Sequence, residues 1–236
     1  MYLKKVTIQR NKFPTENYYP FNLEIFKNSA SLDFETPVTV FTGENGTGKS
    51  TLLEAMSRKC RIYIWEGEQR QSCKNNPYEK SLYSAVNVEW KDGPVPGSFF
   101  SSDVHKHFSK LLDEWAVSSP DLFKYFGGKS LITQSHGQGI ISFFRSRYKI
   151  KGLYIMDEPE TALSPASQIE LIKILKEMSE KGHAQFILAT HSPILMACPG
   201  AKLFNFDNNS ITETTYCETE HYRIYKDFME DCSRYI

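Results

Sequence analysis

Nine residues, GENGTGKST at positions 43–51, restrict the folds open to this chain more than any other stretch. They match G-x-x-x-x-G-K-[ST]. The apolar run VTVFTG that leads into them reads as a strand, and a helix is expected to begin near Lys49. A strand, a glycine-rich turn and a helix in that order bring backbone N–H groups together at a helix N-terminus, where the helix dipole also favours a phosphate. Gly43, Gly46 and Gly48 let the backbone wrap closely around phosphate oxygens. Lys49 is expected to reach the β and γ phosphates and the Ser50 hydroxyl to ligate Mg²⁺. Gly43, Glu44, Asn45, Gly46, Thr47, Gly48, Lys49, Ser50 and Thr51 are thus the expected nucleotide-binding set.

Such a loop needs a sheet around it. GLYIMD (152–157) and QFILAT (185–190) are uninterrupted apolar runs, as in strands buried on both faces, and PASQIELIKILKEMSEK (165–181) between them reads as a helix. This alternation predicts an α/β fold with a mainly parallel sheet flanked by helices. Residues 2–8 and SAVNVEW (84–90) read as further strands, 103–116 and 120–126 as helices. KLFNFD and SITETTY add two short strands, and an amphipathic helix follows from about Glu218. The pattern is weakest over 60–96. With 236 residues, no repeat and no low-complexity linker, one domain spanning 1–236 is expected, with a helical region at about 103–147.

Two other strand ends are polar. LYIMDEPE closes an apolar run with adjacent carboxylates. Successive side chains near a strand end point in different directions, so Asp157 is expected to face Mg²⁺ and Glu158 a water beside the γ-phosphate. ILATHSPIL places His191 similarly, ahead of a Ser-Pro helix start. Ligands collect at the carboxyl ends of parallel strands, where Gly43, Asp157 and His191 are expected to converge. His191 would donate to the γ-phosphate or orient the water; a capping histidine is the plainer alternative.

ITQSHGQGIISFF (132–144) is harder to place. Residues 134–138 and Gly139 run directly into an apolar helical segment, a polar platform at a helix N-terminus where one capping residue normally suffices. The platform predicts an anion and leaves open whether this chain alone holds it.

The loop at 43–50, S-H-G-Q at 135–138, D-E-P at 157–159 and T-H-S-P at 190–193 occur in the order of an ABC-type ATPase. Nearly the whole chain resembles the short stand-alone ATPases of the AAA/ABC type, related to RecF and SMC heads. Y-P-F-N-L at 19–23, G-E-N-G-T-G-K-S-T-L-L-E at 43–54 and T-E-H-Y at 219–222 are similar to that group in particular. The resemblance implies a P-loop NTPase of ABC-ATPase type with an antiparallel β portion and a helical signature region. It implies ATP and Mg²⁺ as ligands, Glu158 and His191 as catalytic residues, and Ser50 and Asp157 on the metal. S-H-G-Q stands where the family has S-G-G-Q or S-G-G-E. In the family that helix N-terminus binds the γ-phosphate of ATP held by the partner subunit. Ser135, Gly137 and Gln138 would then complete a site in trans, within an ATP-dependent homodimer.

The chain departs from the family pattern in three places. His136 replaces the first signature glycine. The D-loop-like segment 161–164 ends in Ser164. No glutamine matches the Q-loop, since Gln69 and Gln71 lie where no strand is readable, which leaves Ser101, Ser102 or Asp103 for that place. Arg10 resembles the basic residue that SMC-type heads bring near the nucleotide, with an ordinary surface arginine as the alternative.

Twenty-eight Lys and Arg balance 28 Asp and Glu, so net charge indicates no nucleic-acid coat. Arg145, Arg147, Lys149 and Lys151 leave a local DNA contact open, beside their plainer reading as cations suited to a helix C-terminus. Five cysteines without a C-x-x-C pair fit a reduced, cytoplasmic compartment. No apolar run approaches the ~20 residues that span a bilayer, so no membrane insertion is expected. The leading expectation is an ATPase that dimerises on ATP and acts as a switch on a protein partner that the sequence does not name. A nucleotide-gated clamp of DNA repair or phage defence is the alternative, followed by a transporter nucleotide-binding subunit. The 85 positions from Ser50 to Ser135 are too few for the long coiled coil of SMC arms.

Overall fold

Apolar runs ended by polar residues build the centre of the molecule. The computed structural model describes residues 1–65, 76–119, 121, 123, 130 and 136–236. In chain order its main elements are β1 (Leu3–Ile8), α1 (Glu24–Asn28), β2 (Ser31–Asp33), β3 (Val38–Thr42), α2 (Lys49–Lys59), β4 (Val86–Trp90), β5 (Gly97–Ser101) and α3 (Ser102–Ser118). Then follow α4 (His136–Arg147), β6 (Gly152–Asp157), α5 (Pro165–Glu180), β7 (Ala184–Ala189), α6 (Pro193–Met196), β8 (Lys202–Asn205), β9 (Thr212–Thr214) and α7 (Glu220–Glu230).

Among the described residues the strands form a six-stranded sheet of order β5-β6-β7-β3-β8-β9 and a three-stranded sheet of order β2-β1-β4. The first is parallel except for β9, and the second is antiparallel. The expected α/β fold, with a mainly parallel sheet, flanking helices and an antiparallel portion, is therefore the fold observed. Side chains alternate across the large sheet as strand geometry requires. Ile155 and Ile187 face the layer that holds α1, α2 and the small sheet, while Tyr154, Met156, Phe186 and Leu188 face α3 to α6. Leu52 and Leu53 of α2 are fully buried, each worth ~1.5–3 kcal/mol relative to exposure. The buried Gln185 ties β1 to β7: its Oε1 accepts from Tyr2 and Leu3 N–H at 2.7 and 2.8 Å, and its Nε2 donates to Leu3 O at 2.9 Å.

Three local expectations need correction. β5 was not expected, since only five residues separate Pro96 from Ser102; its strand identity comes from pairing with β6. Strand β4 starts at Val86, after a 3₁₀ turn over Leu82–Ala85. Helix α4 starts at His136, so Gly137 to Gly139 lie inside its first turns rather than ahead of it. The expected helix over 120–126 falls mostly outside the described residues. No described helix is long and apolar enough to cross a membrane.

Candidate active site

The phosphate loop closes through backbone angles that only glycine adopts easily. Gly43 and Gly48 have φ of 141° and 100°, and an added Cβ would lie 2.9 Å from Asp207 Oδ1 and 2.8 Å from Phe26 Cζ respectively. Gly48 ends the turn and α2 begins at Lys49, as expected. Lys49 is buried, and its Nζ donates to Gly43 O and Glu44 O, both at 2.7 Å. Burial lowers its pKa, against the pull of Glu158, Asp207, Asp157 and Glu44. The loop is braced by Thr47 Oγ1, which donates to Glu44 O at 2.9 Å, and by Asp207, whose Oδ1 accepts from Glu44 N–H at 2.6 Å. The hydroxyls of Tyr19 and Thr51 hydrogen-bond each other beside it.

Strand register brings the other expected residues to the same edge. Ala189 of β7 pairs with Phe41 on one side and with Asp157 on the other, and Asp157 pairs with Ser101. The segments that follow these strands therefore emerge together. Ser50 Oγ donates to Asp157 Oδ1 at 2.9 Å, across 107 positions of sequence. A hydroxyl and a carboxylate are hard oxygen donors of the kind that hold Mg²⁺ beside substrate phosphates, so this pair fits the ion. Burial pushes the Asp157 carboxyl up to about 7, opposed by the Ser50 hydrogen bond. Because a metal ligand must be deprotonated, the Mg²⁺ concentration that half-activates turnover should rise below about pH 7, by up to about tenfold per pH unit. Activation measured at pH 6 and pH 8 checks this, and equal Mg²⁺ requirements would mean that Asp157 is ionised throughout.

Glu158 reaches the site differently from the expected strand alternation. Its backbone is left-handed, with φ 44° and ψ 55°, a conformation that costs a non-glycine residue roughly 1–3 kcal/mol. Three hydrogen bonds hold it there: Glu158 N–H to Ala189 O at 3.0 Å, and Thr161 N–H and Oγ1 to Glu158 O at 3.2 and 2.9 Å. The turn directs its carboxylate to 3.5 Å from His191 Nε2. His191 is fixed from two further sides. Its backbone N–H donates to Oε1 of the half-buried Glu160 at 2.6 Å, and its Nδ1 lies 3.1 Å from His221 Nε2 of α7. Burial, then the positive charge of Lys49, lowers the His191 pKa against the pull of Glu158, which favours the neutral imidazole. The capping alternative for His191 is filled by Ser192, whose Oγ accepts from Ile194 and Leu195 N–H at the start of α6.

Ser135 lies outside the described residues, as do Gln69 and Gln71. Gly137 and the exposed Gln138 occupy the first turn of α4. Among the described residues, a Cβ on Gly137 would meet Ala162 O at 3.5 Å and Ser167 Oγ at 3.7 Å, both ordinary van der Waals contacts. Ser164, the departure in the D-loop-like segment, caps α5 by accepting from Ser167 N–H. Arg10 is held by Glu16 through two contacts of 2.7 and 2.9 Å. In the basic cluster, Arg145 is bound to Glu170 at 2.7 Å and Lys151 lies over the Tyr2 ring. Sequence reasoning gave no role to Glu160, Asp207 or His221. Glu160 stood in D-E-P-E and His221 in T-E-H-Y, the motifs that already marked their segments.

A family model described as AAA ATPase domain matches residues 68–196, over half of the chain, and one described as AAA domain matches residues 17–58. The chain belongs to the AAA ATPase domain family. This AAA ATPase is 24% identical over 181 residues to the phosphate import ATP-binding protein PstB 2 of Streptococcus mutans serotype c, a match covering 66% of the chain and 65% of that relative. Among solved structures it resembles a nucleotide-free ATP-binding cassette from an ABC transporter, with a TM-score of 0.57, 12% identity and coverage of 100% and 99% of the two chains. It also resembles an SMC head bound to the C-winged helix domain of ScpA, with a TM-score of 0.51, 13% identity and coverage of 91% and 98%. At these identities the likeness is one of fold.

Proposed function

We propose that this AAA ATPase hydrolyses ATP to ADP and phosphate with Mg²⁺, and that two copies close head to tail on ATP to act as a switch on a protein partner. The observation that carries the reading is the 2.9 Å hydrogen bond between Ser50 and Asp157, formed at the sheet edge where Glu158 and His191 also meet. The loop amides and Lys49 would bind the phosphates, and Ser50 and Asp157 would hold the ion, which when bound would supply charge neutralisation for the phosphates. Glu158 takes a proton from a water whose oxygen attacks the γ-phosphorus, and the bond from that phosphorus to the β–γ bridging oxygen breaks. His191 Nε2 orients the water or the γ-phosphate. Ser135, Gly137 and Gln138 would add the partner copy's helix N-terminus to the same phosphate.

Phosphate release by the purified chain, with Mg²⁺ and with a chelator, tests the reaction. Mg²⁺-dependent turnover is expected, and a chain that binds Mg-ATP yet releases no phosphate would contradict it. His136→Gly should keep turnover within about threefold, because the departure from the family glycine is read as a tolerated substitution at a helix start. A loss beyond roughly tenfold, about 1.4 kcal/mol of barrier, would assign His136 a direct phosphate contact.

A further inference from the structure

The T-E-H-Y segment at 219–222 has a structural explanation that leads back to the active site. Thr219 caps α7, its Oγ1 accepting from Tyr222 N–H at 3.3 Å, and is itself buried. Tyr222 packs its ring 4.7 Å from that of Tyr216. The helix start is thereby fixed, and His221, in its first turn, sets Nε2 at 3.1 Å from His191 Nδ1. One of these two nitrogens carries the proton and the other accepts it.

The surrounding charges decide which. If His191 Nδ1 were the donor, neutral His191 would turn a lone pair on Nε2 toward the Glu158 carboxylate at 3.5 Å, a repulsive juxtaposition. With His221 Nε2–H as donor to His191 Nδ1, His191 carries its own proton on Nε2 and Glu158 faces an N–H. His221 Nδ1 then carries the remaining lone pair, and it is buried with no hydrogen-bond partner among the described residues.

We propose that His221 is a positioning residue that fixes His191 as its Nε2–H tautomer, so that the histidine facing Glu158 always presents a donor to the reacting phosphate or water. The role in turnover rests on the ATPase reading above; the tautomer itself does not.

Long-range ¹⁵N–¹H spectra of the full chain without nucleotide, at about pH 8 where an ordinary imidazole is neutral, read the tautomer directly. The His191 signals are identified by their loss in His191→Gln. The wild-type chain should show His191 protonated on Nε2 and bare on Nδ1. In His221→Phe that preference should weaken, because the Glu158 contact alone still favours Nε2–H, with turnover falling about tenfold or more and ATP affinity changing less than about threefold. His221→Gln, whose amide nitrogen stands close to the position of Nε2, should retain the tautomer and recover most of the turnover that Phe loses. A wild-type His191 protonated on Nδ1 overturns the proposal whether or not the variants fold, and so does a folded His221→Phe chain with unchanged tautomer and unchanged turnover. A wild-type chain with the expected tautomer but no ATP turnover would refute the ATPase reading and leave the positioning contact in place.

Discussion

Lys49→Ala is expected to abolish ATP binding while leaving the fold in place. Lys49 is the cation of the phosphate loop, and the carboxylates of Glu158, Asp207, Asp157 and Glu44 lie close enough to act on its charge. Without it those carboxylates repel a triphosphate, and the loop amides alone must offset that repulsion. The affinity should fall by at least about a hundredfold, roughly 2.7 kcal/mol. The fold should survive for an electrostatic reason. Burial outweighs the carboxylates and lowers the Lys49 pKa, so the folded chain stabilises this cation less than water does and loses no net charge stabilisation on its removal. Calorimetric titration with Mg-ATP, alongside thermal unfolding, separates the two effects. An unchanged affinity would mean that residues 43–51 are not the site.

The parts of the site that were legible in the sequence are those that local chemistry dictates. Val38–Thr42, Gly152–Asp157 and Ala184–Ala189 are apolar runs of strand length, each ended by glycine or polar residues, so both the strands and the edge at which their functional residues meet could be read from the pattern. Hidden features depend on distant partners. β5 exists through its ladder with β6, and the left-handed turn at Glu158 is held by Ala189 O, some 31 positions further on. Strand alternation was expected to aim Glu158 at the site, whereas a left-handed turn places its carboxylate beside His191. Asp207 braces Glu44 from 163 positions away, and His221 meets His191 across 30. No spacing rule joins such pairs, because the first is set by where the sheet places two separate strand ends and the second by where α7 packs against the end of β7.

Glu158→Gln should lower turnover by on the order of 10²–10⁴, the range for losing a general base, while ATP binding persists. The amide keeps the size of the side chain and the left-handed turn, which is held by backbone and Thr161 contacts rather than by the carboxylate. It also removes a negative charge close to the γ-phosphate. Unhydrolysed ATP should then keep the α4 N-terminus of a second copy across the site, so that the variant accumulates as a dimer with Mg-ATP but not with Mg-ADP. Gly137→Arg in the same chain tests whether that helix start makes the contact, since among the described residues a Cβ there meets only ordinary van der Waals neighbours, and residue 137 lies outside the chain's own phosphate loop at 43–51. The arginine is expected to fill the space required by the partner's phosphate.

Light scattering coupled to size exclusion, at tens of micromolar protein, reads the central claim directly. Glu158→Gln should elute at twice the chain mass with Mg-ATP and at the chain mass with Mg-ADP, and Glu158→Gln with Gly137→Arg should stay at the chain mass with either. A monomeric Glu158→Gln chain saturated with Mg-ATP, or a dimer indifferent to Gly137→Arg, would contradict a site completed by two copies.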